Sequence, residues 1–242
     1  MSSLTTDALA IPFDLFQQTN EVHAAADVGM KSVTKDGRIF RLVYIGSLDI
    51  AQGLAVQAPP LVSAHQNLAN VNSQAIGDTS ITLTLGGTGL DLNQYQNGYI
   101  VVESGTGAGQ LLQIRNNYVT APSGPAVIYL NDPLVLALDS TSVISLIPNL
   151  YSNVVVNPTT ETNVVLGATI YPTKAGNFAW VQTYGVASVL NDGGSAIGDI
   201  LVSSNSVPGA FKTKFARDQR ELAVAEGAIL DTNYGKTFLL FE

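Results

Sequence analysis

Ser80-Ile81-Thr82-Leu83-Thr84-Leu85 alternates hydroxyl and aliphatic side chains without a break, then stops at Gly86-Gly87-Thr88-Gly89. Strict period-two alternation marks a strand with one face on a core and the other in water. The pattern repeats on the C-terminal side. Residues 99–103 and 110–115 flank a glycine turn at 104–109, and apolar runs follow at 126–130 and 142–146. About five short strands divided by Gly, Asn and Pro predict a small barrel or sandwich.

Further along, runs at 153–156, 163–169, 178–184, 198–202, 222–230 and 237–241 read as more β structure, with Gly185, Gly193-Gly194, Gly209 and Gly227 as punctuation. Strands and helices do not alternate, which excludes a doubly wound parallel sheet. Toward the N-terminus, residues 33–44 read as two strands around Asp36-Gly37, a pair suited to a tight hairpin turn. Residues 58–70, opening on Pro59-Pro60, are the best short-helix candidate. The expectation is an all-β fold of small barrel or sandwich units, with a short helix and an extended N-terminal arm at 1–30. A main β domain (31–69 with 149–242) is interrupted by an inserted small one (70–148). The tetrad Ala-Ile-Gly-Asp occurs at 75–78 and again at 196–199, too short by itself to establish a repeat.

Charge is scarce. Asp, Glu, Lys and Arg make up 12% of 242 residues, against ~25% in an average soluble domain. The apolar share of 46% is ordinary and excludes general disorder. Ser, Thr, Asn, Gln and Gly must therefore supply most of the polar surface, which suits β-rich virion or extracellular proteins. The net charge of −8 argues against a general nucleic-acid binder. What cation there is falls into two clusters. Lys31, Lys35, Arg38 and Arg41 with Asp36 carry +3, and Lys212, Lys214, Arg217 and Arg220 with Asp218 carry another +3. Removing both from −8 leaves −14 on the remainder, so the clusters read as docking features. The first basic residue is Lys31, so no secretory signal is expected at the N-terminus. The longest uncharged runs are broken by Pro, Asn and Gln, and no membrane span is expected.

Motifs that carry chemistry are missing. There is no cysteine, and His23 and His65 lie in dissimilar contexts. Gly235-Lys236-Thr237 imitates the end of a phosphate-binding loop, but Leu230 stands where the first glycine belongs. No G-x-S-x-G elbow and no complete calcium loop occurs. Nineteen acids are present, yet spacing pairs none of them across a sugar cleft. Trp180, within Phe178-Ala179-Trp180-Val181, reads as a core or subunit-interface residue. The expectation is a non-enzymatic chain with no cofactor and no bound metal.

The stretch from Phe178 through Leu190, with Gly198-Asp199-Ile200-Leu201-Val202 and Val207-Pro208-Gly209-Ala210, resembles the closing part of head decoration (cement) proteins of tailed bacteriophages. So do Ala75-Ile76-Gly77-Asp78, Gln94-Tyr95-Gln96-Asn97-Gly98-Tyr99 and Asn131-Asp132-Pro133-Leu134. The resemblance covers roughly residues 31–242 and leaves the arm unassigned. It implies a virion protein on the capsid exterior, assembled in the host cytoplasm. Such a protein is often trimeric, seats at three-fold or quasi-three-fold positions and braces neighbouring major capsid protein subunits. It would have no nucleic-acid or membrane partner. Phe13 and Phe16 of the arm and the eight cations named above are then the capsid-contact candidates. A phage tail or host-surface adhesin with a glycan-binding β module is the alternative.

Overall fold

The computed structural model describes residues 28–242, and Phe13 and Phe16 lie outside them. It is 43% strand and 1% helix, an all-β fold. The chain opens with β1 (Lys31–Val33), β2 (Ile39–Tyr44) and β3 (Ala55–Gln57). Next come β4 (Leu68–Ala69), β5 (Ser80–Thr84), β6 (Tyr99–Ser104), β7 (Leu111–Asn117), β8 (Pro125–Leu130) and β9 (Val143–Ile147). The remainder is β10 (Val155–Val156), β11 (Val165–Thr169), β12 (Phe178–Leu190), β13 (Ile200–Ser203), β14 (Phe211–Thr213), β15 (Ala223–Ala225) and β16 (Tyr234–Leu240). Two units result: the described residues up to Pro59 with Tyr151–Glu242, and Pro60–Leu150. The inserted unit thus starts ten residues before the expected 70, because the segment ahead of β4 already belongs to it. Gln66 Nε2 donates to the Leu146 carbonyl (2.9 Å) and the Asn67 N–H to Ser145 Oγ (2.8 Å).

The inserted unit is one sheet in the order β4-β9-β6-β7-β8-β5. Its ends meet: Asn70 bridges Leu83, and the Val71 N–H donates to the Thr82 carbonyl (2.9 Å). The sheet therefore curls into a barrel. The alternation read from the sequence sets its inside, where Ile81 and Leu83 of β5 join Ile100, Ile114, Ile128 and Leu146 in one buried cluster. Ser80, Thr82 and Thr84 point the other way, each less buried than Ile81 and Leu83.

The other unit is a ten-stranded sheet, β10-β3-β11-β12-β16-β15-β13-β14, with β2 beside β12 and β1 beside β2. Its backbone is β12, expected to end at Tyr184 but running thirteen residues to Leu190. Gly185 does not end the strand, because β12 changes partner there. Phe178 to Tyr184 pair β2, with a register shift before Tyr184, and Tyr184 to Leu190 pair β16. Trp180, 2% exposed, packs with Phe40 and Leu42, and a second cluster gathers Phe211, Leu201, Val189 and Leu239. Trp180 is thus a core residue of its own unit.

Two expectations change. No helix forms over 58–70; only Ser63–His65 makes a single 3₁₀ turn. Val62 before it is extended and Asn67 after it has φ 54°, so the diproline entry and a left-handed exit leave no room for a second turn. The two Ala-Ile-Gly-Asp tetrads fold identically. The Ala75 N–H donates to Asp78 Oδ2 (2.8 Å) and the Ala196 N–H to Asp199 Oδ2 (2.9 Å). Gly77 and Gly198 donate to the Leu134 and Ala225 carbonyls (2.9 and 2.8 Å), whose own N–H groups return to Asp78 and Asp199 (2.9 Å each). Both glycines have positive φ (98° and 85°), the third-position requirement of this turn, so each unit contains one copy of a shared structural device.

Candidate docking surfaces

The first cationic cluster sits on the β1–β2 hairpin. Its turn is the three-residue kind. The Thr34 N–H donates to the Arg38 carbonyl (3.0 Å), the Gly37 N–H to the Thr34 carbonyl (2.9 Å), and only Gly37, at φ 85°, is left-handed. The Asp-Gly pair therefore makes a type I turn closed by a glycine bulge rather than the two-residue turn. Asp36 accepts from Thr34 Oγ1 and from Arg38 Nε (2.8 Å).

Lys31 and Arg41 are register partners across the hairpin, and both reach the Glu242 carboxylate, at 2.8 Å and 2.7 Å. Arg41 also donates to the Gly29 carbonyl (2.9 Å) and lies over the Tyr151 ring. Partial burial works against a charged Glu242, but hydrogen bonds and charge from Arg41 and Lys31 outweigh it and bring its pKa from 4.5 to about 2. Four cations against Asp36 and Glu242 leave +2, one unit less than the sequence suggests. Lys35, exposed beside the turn, is the member with no ion pair among the described residues.

The second cluster brackets the loop between β14 and β15. Lys212 lies 3.9 Å from Asp192 and over the Phe215 ring; Lys214 pairs with Glu221 (2.8 Å). Hydrogen bonds from Ser204 and Ser206 hold the Asp192 carboxyl below its ordinary range, with Lys212 adding charge. Arg220, although exposed, donates to the Val165 carbonyl (3.2 Å) and lies over the Phe241 ring. The loop tip is stiffened by Gln219, whose Oε1 accepts from the Phe215 and Ala216 N–H groups (3.1 and 3.0 Å). Phe215 is 60% exposed, and Arg217 is exposed beside it. Counting Asp192, Asp218 and Glu221, this neighbourhood is +1.

The two clusters thus differ. Pairing leaves the hairpin +2 and the loop +1, but the loop also presents an aromatic ring and a guanidinium to solvent from a fixed turn. Phe215 was not among the candidates, although its place between Lys214 and Arg217 was a usable signal. Glu242 was missed for a physical reason: it lies 201 residues from Arg41, and no local pattern links them.

His65 is fully buried and committed to structure. Its Nε2 faces the Thr88 carbonyl (3.0 Å), which places the proton there, so Nδ1 accepts from the Tyr95 hydroxyl (2.7 Å). Burial pushes the Tyr95 hydroxyl pKa far up and keeps it a donor. A depression of about 520 Å³ beside β12 is lined by Arg38, Tyr234 and Lys236 but by no described carboxylate or imidazole. No group of three or more described His, Cys, Asp or Glu residues is placed to hold a metal ion, and no described helix is long and apolar enough to cross a membrane. No protein family, curated protein or solved structure matched the chain.

Proposed function

We propose that the chain is a non-enzymatic virion structural protein that binds the outer surface of a bacteriophage capsid and stabilises neighbouring major capsid protein subunits. The observation that carries this reading is the β14–β15 loop, where exposed Phe215 and Arg217 stand on a turn braced by Gln219. Aromatic and arginine side chains dominate the energetics of protein interfaces. On a chain of net −8 such a loop steers toward an acidic surface. The resemblance to decoration proteins supplies the partner, and the low-charge, hydroxyl- and amide-rich surface suits a chain largely covered by neighbours. Lys212, Lys214 and Arg217 make the contact together with Phe215. Lys35 adds to it from the hairpin, while Lys31, Arg38 and Arg41 serve mainly to hold the fold.

The capsid-bound form is a homotrimer, since strands sharing a symmetry axis would cover the sparse polar surface. Light scattering at micromolar concentration tests self-assembly in solution. The docking test is co-sedimentation with undecorated capsids, in which the chain is retained and the double variant Phe215→Ser, Arg217→Glu is not. Equal retention of that variant, folded, removes the loop from the mechanism.

A further inference from the structure

We infer that the outward face of β7 and β8 in the inserted unit binds an acidic sugar, read by Arg115, Tyr118 and Tyr129. Residues 60–150 contain one cation, Arg115, against five acids, Asp78, Asp91, Glu103, Asp132 and Asp139, a net of −4. That lone guanidinium is exposed and forms no ion pair with a described carboxylate. It lies 5.8 Å from the Tyr129 ring centroid. The ladder between β7 and β8 shifts register between Ile114 and Asn116, so Arg115 is the extra residue of a β-bulge. Bulges re-aim side chains and cluster at functional sites. Here the bulge turns the unit's single positive charge onto an aromatic surface.

The surroundings are those of a polyol site. Tyr118, 58% exposed, meets Tyr129 edge to face at 5.8 Å, giving a ring open to stacking by the apolar face of a pyranose. Gln113 and Asn131, bonded to each other at 2.8 Å, supply amides on the same outward face. Ser80 and Thr82 of β5, opposite Tyr129 and Val127 in register, add hydroxyls. None of these groups is a carboxylate. Arg115 can therefore take a sugar carboxylate through two parallel N–H bonds, while amides and hydroxyls meet ring hydroxyls. This inference stands apart from the capsid-docking reading, because it concerns residues of the other unit and is tested on the free chain.

The test is saturation-transfer difference NMR on the full chain with a glucuronic-acid-terminated disaccharide and its neutral glucose-terminated counterpart. Saturation should concentrate on the terminal acidic ring, and the neutral disaccharide should bind about tenfold more weakly, the worth of a charge-assisted pair. Arg115→Gln should abolish that preference. Arg115→Lys should restore only part of it, since a point charge cannot bond the carboxylate bidentately. Tyr118→Ala, at an exposed position, should weaken both sugars without lowering the melting temperature. Equal binding of the two sugars, no transfer to either, or unchanged binding by Tyr118→Ala would overturn the inference. So would loss of capsid retention by Arg115→Gln, which would assign this face to the shell.

Discussion

Arg41 Nε and Glu242 Oε1 lie 2.7 Å apart, joining the first hairpin of the described chain to its last residue. Lys31 reaches the other oxygen of the same carboxylate (2.8 Å), so one acid fixes both strands of the hairpin. Two of the four cations that look available for docking at β1–β2 are therefore engaged in closing the fold.

Acid should release this clamp. Glu242 titrates near pH 2 when folded and near 4.5 when free, so its contribution is complete above about pH 4.5 and lost as pH falls through about 2. The shift alone corresponds to about 3 kcal/mol, which solvent screening of a partly exposed group reduces to about 1 kcal/mol. Glu242→Gln should thus lower the melting temperature by about 2–4 °C at pH 7. Calorimetry at pH 7 and pH 2 measures it. The difference between the two proteins should shrink toward zero at the lower pH, and a constant difference would contradict the clamp.

Tyr95→Phe should destabilise the inserted unit by about 1–3 kcal/mol, because the ring stays while His65 Nδ1 is left buried without its donor. An unchanged calorimetric transition would show that the His65–Tyr95 bond contributes nothing.

Strands whose alternation is local were legible in the sequence. β5, β6, β7, β8 and β9 fall within two residues of their expected limits, since one face of each lines the barrel. β3 (Ala55–Gln57), buried at all three positions, and β14 (Phe211–Thr213) were not legible. Three residues are too few to show a period, and the partners of β3, β10 and β11, lie far along the chain. The helix at 58–70 does not form because the diproline entry and left-handed Asn67 leave room for one 3₁₀ turn, and Gln66 and Asn67 bond to β9. At the candidate site the cations were legible as clusters, but their pairing was not. Glu242 and Asp192 approach them only once the sheet has formed, and Glu221 only once the β14–β15 loop closes.

If the β14–β15 loop docks as proposed, retention on capsids should fall as salt rises from 0.1 M to 1 M, as the Debye length shrinks from ~10 Å to ~3 Å. Lys212→Glu, Lys214→Glu and Arg217→Glu together should reduce occupancy sharply. Reversal of Lys31 or Arg41 should act mainly on melting temperature. Co-sedimentation read beside thermal melts separates the two effects, and occupancy indifferent to salt would contradict electrostatic docking.

Residues 1–20 hold Leu4, Leu9, Ile11, Phe13, Leu15 and Phe16 without a regular period. These residues lie outside the described ones, and their apolar side chains are expected to contact the capsid. Removing residues 1–20 should leave the melting temperature nearly unchanged and sharply lower capsid retention. Unfolding of the remaining chain, or full retention, would count against capsid contact by Phe13 and Phe16.

The most direct test of the proposed function is a cryo-EM reconstruction of the source particle. The account predicts density for this chain on the capsid exterior at three-fold or quasi-three-fold positions, with the Phe215–Arg217 loop against the major capsid protein. Density on the tail, or a capsid exterior without the chain, would contradict it.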